Sequence, residues 1–170
     1  MTLAMILGSI AATAVIAANI AVADPLTLCN DSPDPVAQIQ GCTDYIAEGN
    51  TTNQNLSVAY LNRAIAHSMT NQHETALADF AKAMELDPDN PLVPYNRGNL
   101  YLDTGRYDLA IADFTRALEI EPHFALAHYN RGLAYEKAGD RISAKADYEQ
   151  TLALDPSDKQ AKVHLDHLNK

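Results

Sequence analysis

The chain of 170 residues has few basic side chains, with 12 lysines and arginines against 22 aspartates and glutamates, and its formal net charge is −10. Nucleic-acid binding needs clustered cations that neutralise phosphates, and this sequence has no such cluster. The charge balance therefore argues against a nucleic-acid partner. An acidic surface keeps a protein soluble, and it also favours a neutral or basic partner over an acidic one.

The sequence also lacks the short motifs that carry catalysis. It has no glycine-rich phosphate loop, no G-x-S-x-G sequence and no H-E-x-x-H pair. His164 and His167 are the nearest metal candidates, because residues three apart lie on one helical face, but two ligands make a weak site. We therefore expect no enzyme activity, no cofactor and no specific metal site. Weak metal binding at these histidines is the alternative.

Charged side chains are absent from residues 1–23. This alanine-rich stretch ends Ala21-Val22-Ala23, and small residues at the last and third-last positions are typical of a signal-peptidase site. The pattern predicts a signal peptide over 1–23, cleavage before Asp24, and a periplasmic or secreted protein. The alternative is an uncleaved membrane anchor, because the stretch approaches the roughly 20 residues that span a bilayer.

Only two cysteines occur, Cys29 and Cys42. A pair of cysteines in an exported chain predicts a disulfide. Pro33 and Pro35 break the chain between them, so the stretch before a helix that starts near Pro35 is able to fold back and reach Cys42. We therefore expect residues 24–56 to hold one helix and this disulfide. The alternative is a buried Cys42 with a free thiol at Cys29.

What the sequence does contain is an internal repeat with a period of about 34 residues, a length that predicts a solenoid. Three sets of residues keep this period: Pro88, Pro122 and Pro156; Ala76, Ala110 and Ala144; and Phe80, Phe114 and Tyr148. Each unit has two runs of apolar residues at three- and four-residue intervals, which predicts two helices. In the third unit these run over 125–138 and 141–154, with Gly139 suited to the left-handed turn between them.

These residues resemble the tetratricopeptide repeat (TPR) family. The second unit carries six of the family's eight signature residues, namely Gly98, Tyr101, Ala110, Phe114, Ala117 and Pro122. The resemblance implies an all-α, right-handed solenoid of three antiparallel helix-pair repeats over residues 57–90, 91–124 and 125–158. Ala161, Leu165 and Leu168 lie on one helical face, which predicts a C-terminal capping helix over 159–170, and we expect a degenerate helix before the first repeat.

One departure from the family concerns charge. Arg63, Arg97 and Arg131 stand where the family has leucine, and Asp79, Asp113 and Asp147 recur with the same period. We interpret these residues as ion pairs between neighbouring helices. The alternative is a charged strip that contacts a partner.

In TPR proteins one face of each first helix lines a concave groove. The resemblance places nine residues on that face: Leu61, Asn62, Ile65, Tyr95, Asn96, Asn99, Tyr129, Asn130 and Leu133. A side-chain amide both donates and accepts, so the three asparagines at equivalent positions of the repeats form a ladder that suits the backbone of an extended peptide. The alternative is that these amides serve local packing and hydrogen bonding.

The resemblance thus implies a non-catalytic module that binds a protein or peptide and acts as a scaffold or assembly factor. A self-associating structural protein is the alternative. The carboxylate clamp with which some TPR proteins hold chaperone C-termini needs lysine or arginine, and the matching positions here are Leu61, Leu126 and Asn130. A chaperone-tail receptor is therefore not expected. Membrane contact is expected only if residues 1–23 stay attached.

N-terminal sequencing of the exported protein tests the signal-peptide prediction. We expect the first residue to be Asp24, because the cleavage pattern ends at Ala23. A sequence that starts at Met1 would contradict the prediction and favour the anchor.

Overall fold

A computed structural model describes residues 24–169, and the predicted signal peptide lies outside this range. The described chain consists of nine α-helices and their connections: α1 (Pro25–Asp31), α2 (Pro35–Glu48), α3 (Asn53–Met69), α4 (His73–Leu86), α5 (Leu92–Asp103), α6 (Tyr107–Ile120), α7 (Ala125–Ala138), α8 (Arg141–Leu154) and α9 (Lys159–Leu168). None of them is both long and apolar enough to cross a lipid bilayer. The all-α solenoid predicted from the sequence is confirmed.

Three helix pairs, α3–α4, α5–α6 and α7–α8, form the repeats. Asn71, Gly105 and Gly139 occupy equivalent positions between the two helices of each pair and have φ values of 59°, 73° and 90°. This left-handed conformation is free of steric cost for glycine and is tolerated by asparagine. The same turn therefore reverses the chain in all three repeats, although the first one lacks glycine.

The contact between the two helices of a repeat depends on a small residue facing an aromatic ring. A Cβ atom added at Gly98 would lie 2.8 Å from the ring of Phe114, and one at Gly132 would lie 3.0 Å from the ring of Tyr148. Both rings are fully buried. The glycines thus allow the close approach of helices that the rings then fill, as dense interiors require.

A buried ion pair joins the two helices of every repeat. The guanidinium groups donate two hydrogen bonds each to a carboxylate on the second helix, at 2.7–2.8 Å, in the pairs Arg63–Asp79, Arg97–Asp113 and Arg131–Asp147. All three aspartates are buried. These contacts favour the structural interpretation of the repeated charges over a free strip for a partner.

Two of these arginines also connect neighbouring units. Arg131 donates from Nη1 to Thr115 on the previous second helix, and Arg63 does the same to Thr43. Burial raises the pKa of Asp147, but hydrogen bonds from Arg131 and His128 outweigh it and hold that pKa below its usual value.

The N-terminal segment differs from its prediction, since residues 24–56 contain two helices rather than one. The short helix α1 forms because Asp24 accepts a hydrogen bond from the Thr27 backbone at 3.0 Å and Pro25 occupies the first helical position. It packs tightly where Gly41 leaves no Cβ, and the disulfide between Cys29 and Cys42 joins it to α2. The result is a fourth helix hairpin.

The start of the first repeat also differs from the predicted residue 57. Helix α3 begins at Asn53, because the Thr52 side chain accepts a hydrogen bond from the Asn55 backbone and caps the helix at that earlier point.

Helix α9 continues the repeat beyond its third unit. Ala161 is fully buried, as is Ala127 at the equivalent position of the third unit. The first residue of the helix, Lys159, is likewise equivalent to Ala125, the first residue of α7. The C-terminal helix therefore takes the place of the first helix of a further unit.

The ion pairs predict a specific double-mutant result. Arg97→Leu leaves the Asp113 carboxylate buried without its partner, and we expect it to lower the free energy of unfolding by about 3–5 kcal/mol. Arg97→Leu combined with Asp113→Ala should cost less than Arg97→Leu alone, because no buried charge remains. Urea unfolding followed by circular dichroism measures both. Losses that simply add in the double variant would contradict the coupling.

Candidate functional site

The first helices of the repeats, α3, α5 and α7, line one face of the solenoid. The predicted groove residues on this face differ in how exposed their side chains are. Leu61 is only 5% exposed and belongs to the core between α3 and α4. Its side chain is therefore packed within its own repeat, and its contact with a partner stays a prediction. Leu133 is partly buried on α7.

The first asparagine of the predicted ladder is occupied by the N-terminal hairpin. Its Nδ2 donates to the backbone oxygen of Cys29 at 3.3 Å and to the side-chain oxygen of Asn30 at 3.1 Å. Both acceptors lie on the disulfide-linked helix α1. Asn62 thus fastens α1 onto α3, and α1 covers this end of the face.

The third asparagine is also engaged within the protein. Nδ2 of Asn130 donates to Asn99 Oδ1 at 2.8 Å and to the hydroxyl of Tyr95 at 3.2 Å. The Tyr95 ring in turn packs against Phe114 and Phe124, with centroids 5.9 and 4.7 Å apart. These contacts connect α7 to α5, so both Asn130 and Tyr95 stabilise the stacking of neighbouring repeats.

The C-terminal end of the face is covered by α9. His164 is one repeat period after Asn130, at the next position of the ladder. Its Nδ1 is 2.9 Å from Glu136 Oε2, and its ring stacks on Tyr148 at 5.2 Å and contacts Tyr129 at 6.0 Å. His164, one of the two metal candidates, therefore docks α9, and Tyr129 lies beneath it.

A short hydrogen-bond network fixes this end. Burial raises the pKa of Glu136, but hydrogen bonds from the Tyr148 hydroxyl and His164 outweigh it, and the resulting pKa lies below its usual value. Burial and the bond to Glu136 raise the pKa of Tyr148. Both groups therefore keep their usual charge states at neutral pH, with the carboxylate accepting both bonds.

With His164 counted as a fourth position, the ladder has a structural role at three positions. The side chains of residues 62, 130 and 164 each form a hydrogen bond to a helix of the preceding unit. Asn96 differs, because its Nδ2 bonds at 2.8 Å to the backbone of Leu92 on its own helix and its Oδ1 has no partner among the described residues. One feature of the sequence could have indicated this structural role. His164 continues the 34-residue period of the three asparagines, but a histidine considered without that period suggests only a metal ligand.

The open part of the face lies between α3 and α5, and we call it the α3–α5 groove. A depression of about 120 Å³ has Phe80 and Leu100 at its floor, and its rim consists of Ile65, Ser68, Met69, Asn96, Asn99 and Asp103. A second depression of about 290 Å³ continues it towards the turn after α3 and shares four lining residues. Three of the nine predicted groove residues, Ile65, Asn96 and Asn99, come together here.

Exposed apolar side chains extend along the same face. Val58, Leu92 and Leu126 occupy equivalent positions of the three repeats and are 39%, 47% and 55% exposed, and Met69 beside the groove is 64% exposed. An accessible aliphatic side chain at the same position of every unit supplies apolar contact area for a partner. The face thus combines an apolar ridge with the amides of Asn96 and Asn99.

Comparisons with known proteins identify the family. A model described as "TPR repeat" matches residues 69–105 and 98–139, and one described as "Tetratricopeptide repeat" matches residues 125–158. Together they span more than half of the chain. The protein belongs to the tetratricopeptide repeat family.

Solved structures of several TPR proteins resemble this one. The second TPR domain of human RPAP3, in complex with the HSP70 peptide SGPTIEEVD, is 29% identical with a TM-score of 0.64, over 67% of this chain and 95% of that one. The Arabidopsis OM64 TPR domain is 27% identical, with a TM-score of 0.66, over 69% and 97%. MamA from Desulfovibrio magneticus RS-1 shares the fold at 21% identity, with a TM-score of 0.74, over 85% and 79%. No curated protein matches the chain.

The different uses of the asparagines predict different costs of removing them. Asn130→Ala should lower the free energy of unfolding by about 1–2 kcal/mol, because two hydrogen bonds between repeats are lost. Asn96→Ala should change it by less than about 0.5 kcal/mol, since its bond is local and alanine favours the helix. Urea unfolding compares the two. Equal losses would contradict the assignment of Asn130 to repeat stacking.

Proposed function

We propose that this protein is a non-catalytic interaction module that binds an extended segment of another protein in the α3–α5 groove. The observation that carries the proposal is the groove itself, which has an apolar floor and polar groups without internal partners among the described residues. Asn96 Oδ1 is free to accept from a peptide N–H, and Asn99 retains amide hydrogens for a peptide carbonyl. Such contacts hold a backbone with little regard to its sequence.

The length of the open face sets the expected strength of binding. α1 covers one end of the face and α9 covers the other. A bound segment therefore contacts mainly α3 and α5, with the exposed ridge at Leu92 beside it. A short interface of this kind supports micromolar rather than nanomolar affinity. The second TPR domain of RPAP3, which resembles this chain, is a precedent for peptide binding on the fold.

The proposed place of action is outside the cytoplasm, where the protein serves as a scaffold or assembly factor. The apolar residues 1–23 with their small-residue ending support export. The disulfide between Cys29 and Cys42 supports an oxidising compartment. It also holds α1 in place over Asn62, so the covered end of the face depends on that compartment.

Self-association is the second candidate, and one observation favours it. Ile142 and Val163, on α8 and α9, are 86% and 67% exposed at the C-terminal end of the solenoid. An end of this kind is able to stack on another copy.

Site-specific photocrosslinking separates these functions. A benzoylphenylalanine placed at Asn96 lies in the groove. One placed at Lys82 on the second helix α4 provides the matched control, because among residues 24–169 Lys82 pairs only with Glu85 on its own helix. We expect crosslinks to another protein from position 96 and not from position 82, after irradiation in the exported fraction and mass spectrometry.

Two results would count against the proposal. Equal crosslinking from both positions would move the binding surface away from the groove. Crosslinks only to a second copy of this chain would favour self-association instead.

A further inference from the structure

We infer that the segment bound in the α3–α5 groove carries a lysine or arginine that pairs with Asp103. In the sequence of that segment, the basic residue is two positions from an apolar residue whose side chain fills the depression. This inference rests on the proposed function and specifies the chemistry of the partner. It follows from one carboxylate without an ion pair among the described residues, from the absence of lysine and arginine among the residues that line the two depressions, and from the spacing along α5.

The carboxylate of Asp103 differs from the other acidic groups on and beneath this face. Asp79, Asp113 and Asp147 are buried in ion pairs with arginines, and Glu136 accepts bonds from Tyr148 and His164. Asp103 is exposed and lines both depressions of the groove. It forms no side-chain hydrogen bond or ion pair with any other residue from 24 to 169.

The local field at this position is negative. Asp103 is the last residue of α5, where the backbone carbonyls carry the negative end of the helix dipole, which favours a cation and disfavours an anion. No lysine or arginine of the described chain lines either depression. Lys137, at the equivalent position one repeat further on, lies outside both. The net charge of −10 adds attraction for a basic segment at longer range.

The spacing gives the order of residues in the partner. Asn99, on the rim of the depression, and Asp103 are one helical turn apart, which is about 6 Å along α5. Alternate side chains on one side of an extended segment are about 6.6 Å apart. In a bound segment that runs along α5, an apolar side chain over Phe80 and Leu100 therefore places the second following, or second preceding, side chain at Asp103.

An acidic segment is disfavoured by the same arrangement. The RPAP3 domain described above was solved with a peptide that ends in the acidic sequence EEVD. In this chain a carboxylate near the depression would face Asp103 and the end of α5, and like charges across an interface are repelled. The groove thus selects the opposite charge from that of the peptide in this structural relative.

The test uses short peptides of serine and glycine with a central leucine followed, two positions later, by lysine, glutamine or glutamate. Titration into the ¹⁵N-labelled protein, followed by NMR, reports both affinity and location. We expect the lysine peptide to bind about fivefold more tightly than the glutamate peptide, with the glutamine peptide between them, and the preference to weaken at high salt. The shifted signals should include the side-chain amides of Asn96 and Asn99.

Two variants make the result specific to one carboxylate. Asp103→Lys should reverse the order of the lysine and glutamate peptides, and Asp103→Asn should reduce the difference to the smaller part that the helix dipole and the net charge supply. Both changes are at an exposed helix end, where removing a negative charge does not oppose the helix dipole. Lys137→Gln, which changes a charge at the equivalent position on α7, should leave the order unchanged.

The outcomes distinguish this inference from the proposal that the α3–α5 groove binds a segment of another protein. Equal binding of all three peptides, or the same order in Asp103→Lys, would overturn the role of Asp103. Failure of the lysine peptide to bind would also overturn it. In each case, crosslinking of another protein from position 96 would still support the groove, and its absence would remove both proposals.

Discussion

The arginine–aspartate pair inside each repeat is the interaction on which the concave face depends. A buried carboxylate is stable only when it is paired, so each aspartate on a second helix fixes the position of the first helix that carries its arginine. The pairs Arg63–Asp79, Arg97–Asp113 and Arg131–Asp147 have nearly identical geometry. Because the arginines also reach Thr43 and Thr115 in preceding units, one side chain sets both the helix pair and, at two places, its stacking. Each helix pair is held in a defined arrangement as a result.

Stacking and the proposed binding use the same face of the first helices, and the protein divides that face between them. Asn62 holds the disulfide-linked hairpin, Asn130 holds the neighbouring repeat and His164 holds the last helix. The equivalent residue in the middle, Asn96, faces Ile65, which offers no polar partner. The groove is therefore open where one rung of the ladder has nothing to bond within the described chain.

The sequence predicted the repeated part of this protein well because each element there is specified locally. The helices expected over 125–138 and 141–154 are observed with those bounds, since Gly139 and the acidic-proline pairs that follow each second helix mark their ends. Helix α1 was missed because it is short and has no apolar periodicity to detect. The cap at Asp24 is a local signal, but the helix also depends on its contact with Gly41, and no local pattern encodes that contact between distant parts of the sequence.

The site was less predictable than the fold. Whether a side chain can contact a partner depends on which neighbouring elements cover it, and not on its residue type alone. Helical spacing placed Leu61, Tyr129 and Asn130 on the right face, but it gave no information on what covers them. The most direct test of the account is a crystal structure of the protein with the segment that crosslinks at position 96. The account predicts an extended segment between α3 and α5, in contact with Ile65 and Asn96, with α1 and α9 in place. A segment bound on the second helices, or one that displaces α1 from Asn62, would contradict it.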